Sequence, residues 1–63
     1  MSDFMVSGGG TVFVLTPLTE AAKSWVSDFI DPGAQRWGRG VVIEHRYISD
    51  IINGIEDSGL SIA

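Results

Sequence analysis

At 63 residues the chain holds one domain with one core, and a domain of that size buries only about 60% of the surface its unfolded form exposes, so its stability is marginal without reinforcement. With no cysteine and a single histidine, the composition excludes disulfides, thiolate metal sites and a zinc site built on ring nitrogens; no metal or cofactor is implied, and oligomerisation is the reinforcement that remains. A net charge of −4 gains nothing from counterion release on a phosphate backbone, which disfavours nucleic acid as a partner, and no apolar run approaches the roughly 18 residues that cross a bilayer, so a cytoplasmic protein without a membrane partner is expected.

The chain opens with Phe4, Met5 and Val6, followed by Ser7 and three glycines. A glycine run loses the most backbone entropy on ordering, so residues 1–10 read as a flexible N-terminal arm and residues 11–63 as a single small α/β domain. The apolar residues of such an arm could dock on a partner or a second subunit. Gly8-Gly9-Gly10 is not a phosphate loop, because those loops follow a strand and open onto a helix.

Thr11 to Thr16 is rich in β-branched and aromatic residues and reads as a strand. Its unbroken apolar run, Val12 to Leu15, places it in the sheet centre with both faces covered. Thr16-Pro17 resembles an N-cap followed by a first-turn proline, with Glu20 favouring the positive end of the helix dipole. Leu18, Ala21, Ala22, Trp25, Val26, Phe29 and Ile30 then recur at helical spacing, until Asp31-Pro32-Gly33 ends the helix.

Ala34 to Trp37 and Gly40 to His45 flank Gly38-Arg39, a two-residue loop suited to a type II′ hairpin. The apolar run Val41 to Ile43 matches the first strand, and a parallel pairing of the two is expected. A second helix runs from about Arg46 to Ser58 on Tyr47, Ile48, Ile51, Ile52 and Ile55, closed by Gly59 as a left-handed cap. Gly54, unfavourable within a helix, is read as a close approach to the sheet. Leu60-Ser61-Ile62 alternates and can add an edge strand. The resulting order is the split βαββαβ of ferredoxin-like folds, with a three-stranded βαβαβ as the alternative; both are α+β, two-layer α/β sandwiches.

The chemistry concentrates in Arg36-Trp37-Gly38-Arg39 and Glu44-His45-Arg46-Tyr47. Trp37 between Arg36 and Arg39 could stack on a ring or anchor an interface. His45 is the sole candidate general base, yet Glu44 beside it points to the opposite face of a strand, and Ser49 and Asp50 lack a nucleophile-elbow context. A structural histidine orienting the second helix is the favoured reading. The dispersed acidic residues make no calcium loop. Two helices cover one sheet face, which leaves either Phe13 and Leu15 or Val12 and Val14 bare beside Val41 to Ile43, an apolar patch of the kind that marks a binding surface. Phe13 and Val42 are the candidate contacts there.

The stretches Thr16-Pro17-Leu18-Thr19-Glu20-Ala21-Ala22-Lys23-Ser24-Trp25, Val42-Ile43-Glu44-His45-Arg46-Tyr47-Ile48 and Asp57-Ser58-Gly59-Leu60-Ser61-Ile62 resemble short uncharacterised proteins of bacteria, their phages and integrated elements. The resemblance spans most of residues 11–62 and implies an accessory protein that binds and modulates a host or phage protein. The residues favour a non-enzymatic protein-interaction or regulatory module, dimeric, that uses its open sheet face or its Arg36 to Arg39 hairpin to contact a protein partner. The alternative is a single-stranded nucleic-acid binder in which Trp37 stacks on a base and Arg36, Arg39 and Arg46 contact phosphates. A hydrolase or isomerase centred on His45 ranks last, because nothing locates a substrate pocket.

Overall fold

The computed structural model describes residues 2–63. Strands β1 (Phe4–Gly9) and β2 (Val12–Pro17) form a hairpin and lead into helix α1 (Glu20–Phe29). The short strand β3 (Arg36–Trp37) and β4 (Gly40–Glu44) form a second hairpin, and a 3₁₀ turn, His45–Tyr47, feeds helix α2 (Ile48–Asp57). The fold is a small α+β domain with one four-stranded antiparallel sheet, ordered β1-β2-β4-β3, and two helices, an arrangement compatible with a two-layer sandwich.

The element order ββαββα departs from the expected βαββαβ, and the departure begins at the N-terminus. Instead of a flexible arm, Phe4–Gly9 is a full edge strand paired along its length with β2. Its glycines are what allow the hairpin: Gly10 adopts φ 69° at the first position of the two-residue turn. Gly8 has φ 94°, and a Cβ there would lie 3.2 Å from the Val12 carbonyl oxygen.

As expected, β2 and β4 are neighbours in the sheet centre, but they run antiparallel. Helix α1 carries the chain from β2 to β3, which is parallel to β2, and the Gly38-Arg39 turn returns β4 into the gap between them. Gly38 has φ 63°, in keeping with the predicted turn. The place beside β2 that a final strand would take belongs to β1. Leu60 to Ile62 is therefore pushed outward, and Ile62 makes a single parallel bridge to Phe4. Because β3 forms, the three-stranded alternative does not apply.

Helix α1 starts later than Thr16-Pro17 indicated. Pro17 ends β2, and Thr19 caps the helix, its hydroxyl accepting from the Ala22 amide at 3.1 Å. Gly59 caps the far end of the second helix at φ 82°, as the sequence implied.

Directly opposed residues of antiparallel strands share a face, so the register sorts the apolar runs. Phe4, Leu15, Val41 and Ile43 face the helices and form one core with Ala22, Trp25 and Val26 of α1 and Ile48 and Ile55 of α2. Phe4, fully buried, meets the Trp25 ring edge-on at 5.9 Å. The Trp25 Nε1–H donates to Ser58 Oγ at 3.0 Å, and Ser58 Oγ donates to the Gly54 carbonyl, so one side chain joins both helices and the sheet. Gly54 packs beside this indole and not on the sheet. A Cβ there would sit 3.4 Å from Trp25 Cζ2, an ordinary contact distance.

Asp3 closes the chain's two ends. Its carboxylate accepts from the Thr19 hydroxyl at 2.7 Å and from the Ser61 amide at 3.0 Å, while the Asp3 and Phe4 amides both donate to the Ser61 carbonyl. The Thr19 hydroxyl first, and then the Ser61 amide, hold the Asp3 carboxyl below its ordinary value. A depressed carboxyl contributes stability above the ordinary carboxylate range, and that contribution is lost as pH falls through the lowered folded value.

Two predictions follow from these contacts. Gly54→Ala removes the entropic penalty of a helix-interior glycine without a clash, and it is expected to stabilise the domain by roughly 0.5–1 kcal/mol in urea denaturation. Asp3→Asn is expected to lower the midpoint of thermal unfolding at neutral pH. Its difference from the natural chain should close as the solution is acidified through the lowered Asp3 value, because protonation then removes the same interaction from both proteins.

Candidate functional site

The outer face of the sheet is set by the same register that builds the core. Met5 opposes Thr16, Val14 opposes Val42, and Val12 opposes Glu44, so these side chains alternate with the core residues and point away from the helices. None of Met5, Val12, Val14 and Val42 belongs to the core cluster. Met5 and Val12 are exposed, and Val14 and Val42 are half-buried among themselves and their neighbours. Gly40 lies on this face beneath Val14: a Cβ would collide with Val14 Cγ1 and come within 2.9 Å of Thr16 Oγ1, so the valine covers the gap that the glycine leaves. At one border Trp37, opposite Gly40, is 73% exposed. At the other end Glu44 is paired with Arg46 at 3.2 Å.

This geometry separates residues that the sequence grouped. Phe13 opposes Ile43 and lies on the helix side, half-buried, its ring stacked on His45 at 6.0 Å, whereas Val42 is on the outer face. The two candidate contacts of the open face are thus on opposite sides of the sheet. Arg36 opposes the core residue Val41, which puts it on the helix side, while Trp37 next to it faces outward. Among the described residues neither Arg36 nor Arg39 lies over the Trp37 ring; the cation–π contact present is Arg46 over Tyr47 at 4.8 Å. Arg46 sits beyond the far end of β4, about 17 Å from the Gly38-Arg39 turn at about 3.4 Å per residue. Arg36, Trp37, Arg39 and Arg46 therefore do not converge on one surface.

His45 opens the 3₁₀ turn that leads into α2, and its backbone amide donates to the Thr11 carbonyl at 2.9 Å. This ties the start of the turn to the β1–β2 loop. Among the described residues its ring has no hydrogen bond to Glu44, Ser49 or Asp50, and no three His, Asp or Glu side chains are grouped to hold a metal ion. No helix among the described residues is long and apolar enough to cross a membrane.

Sequence reasoning did not single out Met5 as a residue of this face, because it fell in the supposed arm, and it left Val12 and Val14 as one of two alternatives. The signal for Val14 was the strict alternation of a pleated strand, which assigns Val12 and Val14 together once Leu15 is known to be buried. Comparison of the chain with protein-family models, with curated proteins and with solved structures finds no match to any of them.

The two tryptophans mark the contrast between core and surface. Trp37→Ala is expected to change unfolding free energy by no more than about 0.5 kcal/mol. Trp25→Ala should cost about 3–5 kcal/mol, enough to unfold so small a domain, with urea melts followed by circular dichroism as the measurement.

Proposed function

We propose that this chain is a non-enzymatic protein-interaction module that associates with a second copy of itself through the outer face of its sheet. The observation that carries the reading is an uncovered sheet face, formed by Met5, Val12, Val14 and Val42 and bordered by Trp37, with Glu44 as the acidic residue at its margin. Five of the eight acidic residues, Glu20, Asp28, Asp50, Glu56 and Asp57, are carried by α1 and α2 on the other layer. Stacking two sheets back to back keeps both acidic layers outermost, so the net charge of each copy opposes association least in this orientation. The contact also supplies the reinforcement that a domain of this size otherwise lacks.

The face is small. Four strands at about 4.8 Å spacing and six residues at about 3.4 Å give at most roughly 400 Å² per copy, or about 800 Å² in total. That lies below the lower limit of about 1,200 Å² for stable interfaces, so a weak dimer that dissociates on dilution is expected. In the wider reading the chain is a binding protein, and self-association sets how the face is presented to a partner.

Sedimentation equilibrium between about 10 μM and 1 mM, a range suited to an interface this small, is expected to show a mass rising from monomer toward dimer. Met5→Glu and Val42→Glu, both on the outer face, should each hold the protein monomeric while leaving its far-UV circular dichroism unchanged. A monomeric mass for the natural chain across the whole range would overturn the reading.

A further inference from the structure

On the helix side of the sheet, a cavity of about 320 Å³ lies between α1 and the β3–β4 hairpin. Lys23, Arg36 and Arg39 line it, together with Val26, Ile30 and Pro32. The chain has four Lys and Arg residues against eight Asp and Glu, yet three of those four cations and none of the acids line this one space. In an acidic protein such sorting runs against the bulk composition.

The fold itself produces the convergence. Arg36 is on the helix side because its strand partner is the core residue Val41. Arg39 is the second residue of the hairpin turn and follows Gly38, whose positive φ brings the chain round. Lys23 stands on α1, one residue after the buried Ala22, and its nearest acidic group, Glu20 Oε1, is 3.8 Å away and exposed. Among the described residues the two guanidinium groups have no ion-pair partner. The apolar wall of Val26, Ile30 and Pro32 lowers the local polarisability beside them and strengthens their field.

We propose that this cavity binds a phosphate monoester carried on a small apolar group. Two guanidinium forks and one ammonium match the dianion's charge and its three terminal oxygens, with Glu20 offsetting part of the Lys23 charge. A carboxylate, with one charge and two oxygens, uses fewer of these donors. Val26, Ile30 and Pro32 receive the apolar body of the ester. The volume belongs to the low end of the range of about 300–1,000 Å³ usual for small-ligand sites, which limits that body to about the size of one ring. The cavity opens on the side away from Met5, Val14 and Val42, so this site stands or falls independently of self-association.

The test is an NMR titration of the ¹⁵N-labelled protein with phenyl phosphate, inorganic phosphate and benzoate as separate probes. Phenyl phosphate is expected to give saturable shifts at the amides of Lys23, Ser27, Arg36 and Arg39, with affinity about tenfold above either of the other probes. Arg36→Gln and Arg39→Gln, both exposed, should each weaken it by about fivefold without altering the rest of the spectrum. Equal affinity for inorganic phosphate would overturn the apolar half of the site. Shifts that fail to saturate by about 10 mM, or that survive both substitutions, would overturn the site altogether.

Discussion

A sheet has two faces, and two ten-residue helices cover only one of them. Most of what distinguishes this domain follows from that shortage. Both central strands are apolar without interruption, Val12 to Leu15 in one and Val41 to Ile43 in the other, as if each expected cover on both sides. The register gives Leu15, Val41 and Ile43 to the core and leaves Val12, Val14 and Val42 outside. Charge is meanwhile concentrated on the helices. The molecule thus has an acidic layer and an apolar layer.

With so small a core, stability depends on how the chain's ends are secured. The first strand contributes Phe4, which is completely buried against Trp25, and Trp25 in turn reaches Ser58 at the end of α2. Asp3 holds the cap of α1 and the C-terminal segment at the same time, through Thr19 and Ser61. The residues next to the glycine run, far from being an appendage, join the first strand, the first helix and the last residues into one closed unit.

Elements whose signals are local were readable from the sequence. The two amphipathic helices, the Gly38-Arg39 turn, the Gly59 cap and the adjacency of the two apolar strands all rest on spacing or on one residue's conformational freedom. The first strand was hidden because three consecutive glycines signal disorder, although Gly8 and Gly10 are there to permit a close approach and a tight turn. The direction of β4 relative to β2 was misjudged because an unbroken apolar run suits a buried parallel strand, whereas here a hairpin return fills the gap between two parallel strands. The start of α1 was displaced because Thr16-Pro17 and Thr19 are both plausible caps, and the longer second strand claimed Pro17. The grouping of Phe13 with Val42 depended on a register that only pairing partners fix, and a shift of one residue sends a side chain to the other face.

Arg36 and Trp37 show why a two-residue strand matters more than its length implies. Adjacent along the backbone, they are directed to opposite faces, so the hairpin contributes a cation to the cavity on the helix side and an indole to the border of the outer face. Only two register pairs fix this strand to β4, with one further bond from the Val42 amide to the Gln35 carbonyl at 2.9 Å. A group held against Arg36 and Arg39 therefore also restricts the backbone that carries Trp37, and a surface pressed on Trp37 restricts the backbone that carries Arg36. By linkage any such coupling acts equally in both directions, and β3 is the element through which it would act.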